Sequence, residues 1–164
     1  MDAPAVDRVL EAAASFLRSR DRTELAGRIT GAFCRELGFS VGLLRLREPR
    51  TGRFELRAAT GLEGGELRQG DRDLGEEDLQ ALLDRPSRPG RCWIHPDEGP
   101  RWSEEHRLHV PLRHQEEGLV GLVELDRPPD GMVPGPERLR AAGPLADQAV
   151  LALRSCACQE QMEE

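Results

Sequence analysis

The residues of this 164-residue chain most able to do chemistry are its four histidines and four cysteines. His106-x-x-His109, with His95 and the carboxylates Asp97, Glu98, Glu104 and Glu105 close by in sequence, invites a metal site. At strand spacing, however, residues three apart point to opposite faces, and the pattern matches no standard zinc spacing, so no metal ligand is assigned. Cys156 and Cys158 lie about 200° apart around a helix axis and close neither on one ion nor on each other. Cys92 has no second cysteine between Trp93 and Pro111 to resolve an oxidised intermediate, and a thiol without a resolving partner or an activating electropositive site is usually inert. With no nucleophile, base and orienting group to assemble, the chain is predicted to have no catalytic turnover.

Charged residues set within apolar runs carry a second kind of chemistry. Arg45 and Arg47 alternate with Leu44 and Leu46, Glu55 and Arg57 with Phe54 and Leu56, His109 with Val110, and Glu124 with Val123 and Leu125. On strands, such alternation gathers the polar positions on one face. Arg45, Arg57, His109 and Glu124 converging in a cavity would suit a small polar or anionic ligand, with Trp93 and Trp102 lining the pocket. The competing reading is packing: tryptophans belong to cores, and long arginines fill a cavity with their own stems.

The elements that must position these residues are helices at both ends with strands between. Val6, Val9, Leu10, Ala13, Phe16 and Leu17 have the spacing of an amphipathic helix over about Ala3 to Arg18. Asp21 with Glu24 three positions on marks the start of a second helix, whose stripe of Leu25, Ile29, Phe33 and Leu37 is closed by Gly38. Val41 to Arg47 and Phe54 to Thr60 form a hairpin, and Gly61 to Gly75 a loop. Glu76 to Asp84 is a short helix with acids in its first turn, and Arg91 to His95 a short strand. In the second hairpin, Leu108, Val110 and Leu112 alternate with polar positions, Gln115 to Gly118 turn, and Leu119 to Leu125 is a strand covered on both sides. Pro111 inside the first of these strands requires an unpaired edge or a bulge. Pro136 starts the last helix, with a kink or break expected near Gly143 because Pro144 cannot donate to the helical ladder.

Composition excludes several roles. The length suits one domain with a real core. All 23 basic residues are arginine, the chain lacks lysine, asparagine and tyrosine, and the net charge of −7 argues against a nucleic-acid surface. No apolar run approaches the roughly 20 residues that span a bilayer, and no signal peptide pattern is present, so no membrane role and a cytoplasmic location are expected.

The order of these elements resembles that of a GAF domain. Two N-terminal helices, a hairpin ending Ala-Ala-Thr-Gly61, a short helix, Val110-Pro111-Leu112, Gly118-Leu-Val-Gly121 and a last helix with Ala-Asp-Gln-Ala149 carry the resemblance, from about Leu10 to Leu153. It implies an α+β fold, PAS-like, with a central antiparallel sheet of about six strands. The N- and C-terminal helices would pack on one face and a ligand pocket would open on the other, where the polar positions would then lie. Residues 1–164 would form one domain, its C-terminal helix serving as a signalling helix. The resemblance implies a sensory or regulatory domain in bacterial-type signal transduction. Such a domain would form a homodimer through its terminal helices and act on an output domain such as a kinase, cyclase or transcription regulator. The dimer stripe is expected to comprise Val6, Val9, Ala13 and Phe16 with Ala142, Gly143, Ala146, Ala149 and Val150. The cyclic-nucleotide motif of some GAF domains needs asparagine and lysine and is absent. Cys92 is followed by Trp93 where bilin-binding relatives commonly have histidine, so no chromophore is expected, and no cofactor is assigned. A ligand-free dimerisation or protein-interaction module is the alternative. An enzyme similar to free-methionine-sulfoxide reductase, acting through Cys92, is the remote one.

Overall fold

A computed structural model describes residues 3–62, 73–84, 93–94, 101–102 and 106–163. Helix α1 (Ala3–Leu17) buries Val9, Ala12 and Phe16. Helix α2 (Arg22–Leu37) starts at Asp21, whose side chain accepts a hydrogen bond from the backbone N–H of Glu24 at 2.8 Å. The Glu24 carboxylate accepts in turn from the Arg20 N–H just before the cap, so the two side chains clamp the helix start from both sides. Gly38 ends α2 at φ 82°, the left-handed conformation that a residue without Cβ adopts at least cost.

Strands β1 (Val41–Arg47) and β2 (Phe54–Thr60) form the first hairpin, and β4 (Leu108–His114) and β5 (Gly118–Asp126) the second. Between them lie α3 (Glu76–Leu83) and the two-residue β3 (Trp93–Ile94). All neighbours are antiparallel in the order β2-β1-β5-β4-β3. Among the described residues the sheet therefore has five strands rather than about six. Five is also the number of apolar runs in the sequence; the sixth strand rested on the resemblance alone. β5 is the central strand, in keeping with its nearly unbroken apolar run. β3 pairs only with Leu108 and His109, so Pro111 lies past the end of that pairing, where a missing N–H costs the sheet no described bond.

Helices α1, α2 and α5 cover one face of the sheet. Their buried side chains form one cluster with Leu44, Leu46, Leu108, Val110, Leu112, Val123 and Leu125. The approach is close: a Cβ on Gly42 would lie 2.7 Å from the Cys34 sulfur and 2.9 Å from a Thr30 methyl of α2. The last helical segment is broken before the proline rather than at it. α4 (Pro136–Leu139) begins with Pro136 as expected, and α5 (Ala142–Glu163) starts afresh with Pro144 in its first turn, where no intrahelical N–H is needed. Ala142, Ala146, Ala149 and Val150, together with Val9 and Phe16, are buried within the monomer. The expected dimer stripe is therefore largely spent on the chain's own core. The large apolar residues left exposed on the terminal helices are Val6, Leu10, Leu17, Leu151 and Met162.

The other face carries a smaller cluster, in which Phe54, Leu122 and the α3 residues Leu79 and Leu83 are buried.

Candidate functional site

Cross-strand register places the charged residues. Leu43, Glu124, His109 and Trp93 are aligned across β1, β5, β4 and β3, and the next row runs Leu56, Arg45, Leu122 and Pro111. Leu122 packs with α3, whereas Val123 and Leu125 pack with the terminal helices. Arg45, His109 and Glu124 therefore share the face away from the terminal helices, and all three are buried.

They meet at one carboxylate. Glu124 Oε2 accepts from His109 Nε2 at 3.0 Å and from Arg45 Nη1 at 3.4 Å, and Arg107 Nε stands 3.8 Å from Oε1. Arg107 Nη1 also reaches Asp126 Oδ2 at 3.0 Å. Asp126 Oδ1 accepts from the Trp102 indole N–H and from the Arg127 backbone N–H, both at 2.7 Å. Trp102 in turn contacts the rings of Phe39 and His106. The result is a chain of hydrogen bonds and ion pairs from Arg45 to Trp102.

Burial alone would raise the pKa of Glu124, but the hydrogen bond from His109 and the charges of His109, Arg45 and Arg107 outweigh it and hold the carboxyl below its ordinary value. An ionised carboxylate only accepts hydrogen bonds, so His109 must carry a proton on Nε2. Such a site can hold a fixed negative charge beside buried guanidinium groups. It offers a ligand hydrogen-bond donors and anion-binding arginines, provided the ligand competes with the internal pairs.

Four of the six expected site residues lie in or beside this arrangement: Arg45, His109, Glu124 and Trp102. Trp93 is aligned with His109 by backbone pairing, and its side chain lies outside the described residues. Arg57 does not join them. Leu44 pairs with Ala58 and Arg45 with Leu56, so Arg57 is the extra residue of a β-bulge. It is exposed and bonds Glu55 at 2.7 Å, with Glu48 3.7 Å away. Arg107 and Asp126 belong to the network and were missed, although each lies two residues from a predicted member on the same strand run, which is the same-face spacing.

Cys92, His95, Asp97, Glu98, Glu104 and Glu105 lie outside the described residues. Among the described ones no group of three or more His, Cys, Asp or Glu side chains is arranged to hold a metal ion. Burial pushes the Cys34 thiol up to about 11, far from a reactive thiolate. The Cys156 thiol is also raised, chiefly by burial and then by the Glu160 carboxylate. No described helix is long and apolar enough to cross a membrane.

No protein-family model matches the chain, and no curated protein matches its sequence. Solved structures do match its fold. The GAF domain of a phosphoenolpyruvate-protein phosphotransferase from Coxiella burnetii aligns with TM-score 0.68 at 13% identity, covering 96% of each chain. The GAF domain of a putative sensor histidine kinase from Pseudomonas syringae aligns with TM-score 0.60 at 17% identity, covering 98% of this chain and 92% of that one. Free methionine-R-sulfoxide reductase from Neisseria meningitidis, solved with its substrate, aligns with TM-score 0.65 at 12% identity, covering 97% and 95%. The chain has a GAF-like fold.

Proposed function

We propose that this chain is a sensory or regulatory domain that binds a small polar or anionic molecule on the sheet face away from its terminal helices and passes the change on through α1 and α5. The observation that carries this is the convergence of Arg45, His109 and Arg107 on buried Glu124. Burying charges costs several kcal/mol per ion, on the order of what a buried pair recovers, so an all-apolar face would be at least as stable. A function that uses those charges accounts for their presence. Likeness to GAF domains of a sensor kinase and a phosphotransferase supports a signalling role, with an output domain of kinase, cyclase or transcription-regulator type receiving the signal. Exposed Val6, Leu10 and Leu17 on α1 and Leu151 on α5 support a homodimer through the terminal helices.

The site is tested by thermal unfolding against a panel of dicarboxylates, amino acids, nucleotides and inorganic phosphate. Binding to the native state raises Tm by an amount that grows with the logarithm of ligand concentration over Kd. At least one panel member should raise it, and Glu124→Gln should remove the rise. The dimer is tested by light scattering, where Leu10→Glu should give a monomer that still unfolds cooperatively.

A second reading rests on the same contacts. Both Glu124 oxygens face cations within the chain, so the network is also able to fill its own space in a ligand-free interaction module. A panel without effect on Tm, together with an intact dimer, would favour that module.

A further inference from the structure

On the opposite side of the sheet, a cleft of about 400 Å³ lies between the first turn of α2, the end of β1 and the last turns of α5. We propose that it binds a small amphipathic anion, with one carboxylate head and an unbranched apolar tail. This stands apart from the reading of the Glu124 face.

The size falls within the roughly 300–1,000 Å³ of small-ligand sites. Leu46, Val150 and Leu153 form a floor of buried hydrocarbon, suited to a tail rather than to a polar body. Arg22, Arg47 and Arg154 line the same cleft. Arg154 is bonded to Glu117, while Arg22 and Arg47 have no ion-pair partner among the described residues. A guanidinium offers a planar fork of donors that matches a carboxylate, and here it borders an apolar surface where water competes less. The charge of the head is limited by the surroundings. Glu117 lines the cleft, Asp21 caps α2 beside Arg22, Glu160 lies in the last turns of α5, and the whole chain carries −7, all of which oppose a polyanion such as a nucleotide. A single negative charge with a hydrocarbon tail meets both the arginines and the floor.

Cys158, exposed in the cleft lining, reports occupancy directly. Its alkylation by iodoacetamide, followed by peptide mass spectrometry, is measured with decanoate below its micelle concentration. Decyltrimethylammonium, with the same tail and opposite charge, and propionate, with the head alone, serve as comparisons. Decanoate should slow Cys158 alkylation at least fivefold and saturably, and neither comparison should do so. Arg22→Gln should abolish the protection, and Ala157→Trp, which fills the cleft and leaves the arginines in place, should abolish it independently. Alkylation of buried Cys34 must remain slow throughout, since a rise would register unfolding rather than binding. Absence of protection, equal protection by the cationic amphiphile, protection unchanged in both variants, or exposure of Cys34 by decanoate would overturn the proposal.

Discussion

The two faces of the sheet are built by different physics. The face under α1, α2 and α5 is closed by apolar side chains, with Ile29, Phe33, Leu37, Leu44, Val110, Val123 and Ala149 fully buried and Gly42 letting α2 lie almost on the backbone of β1. Among the described residues, the face toward α3 buries Phe54, Leu79, Leu83 and Leu122 as its apolar cluster, and beside them Arg45, His109 and Glu124. Apolar packing is additive and tolerant, whereas a buried ion network holds only when every member is satisfied. The helix side is therefore the stabilising half of the molecule. The α3 side is the half where offering one competing polar or charged group changes the balance most.

Four substitutions sharpen that contrast. Phe33→Ala, in the centre of the helix side, should cost most, about 4 kcal/mol by denaturant unfolding, with the slope of the transition unchanged. Glu124→Gln keeps the shape of the side chain but leaves Arg45 and Arg107 facing a neutral amide. It should cost about 3 kcal/mol, and a loss under 1 kcal/mol would mean that the network is solvated. Leu79→Ala, in the small cluster under α3, should cost about 2 kcal/mol, at the low end for a buried leucine because its apolar cluster among the described residues is small. Asp21→Ala removes the cap of α2 and should cost about 1 kcal/mol.

Acid should separate the faces as well. The folded pKa of Glu124 lies below its unfolded value, so its stabilising contribution is complete above about pH 4.3 and is lost as pH falls through the folded pKa. The unfolding free energy should decline over that acidic window, and Glu124→Gln should flatten the decline. Phe33→Ala should lower the whole curve without changing its shape.

The helix side was legible in the sequence because it is written in periodicity. The stripe of α2, the Asp21 cap and the Gly38 terminator follow from spacing and residue type alone, and the structure places them as expected, whereas of the α1 stripe Val9 and Phe16 are buried and Val6, Leu10 and Leu17 are exposed. The α3 side was legible in part. Period 2 put Arg45, His109 and Glu124 on one face, and extending the same count by two would have found Arg107 and Asp126. Arg57 was misplaced because a bulge in the β1–β2 pairing shifts the phase, and nothing in the local sequence announces an extra residue. The dimer stripe was ambiguous for a different reason. Small residues on α5 signal close packing, but the spacing does not say whether the neighbour is the chain's own α1 and α2 or a second copy.

The central claim is that the Glu124 face receives the polar or anionic ligand of the proposed sensing role. It is tested most directly by ¹⁵N NMR of the Trp102 indole N–H, which donates to Asp126 at the end of the network, together with the His109 ring. Both are followed while titrating the panel compound that raises Tm. The account predicts that both signals move saturably with one affinity in the wild type and stay still in Glu124→Gln. Saturable binding that leaves Trp102 and His109 unmoved while shifting α2 and α5 would contradict it.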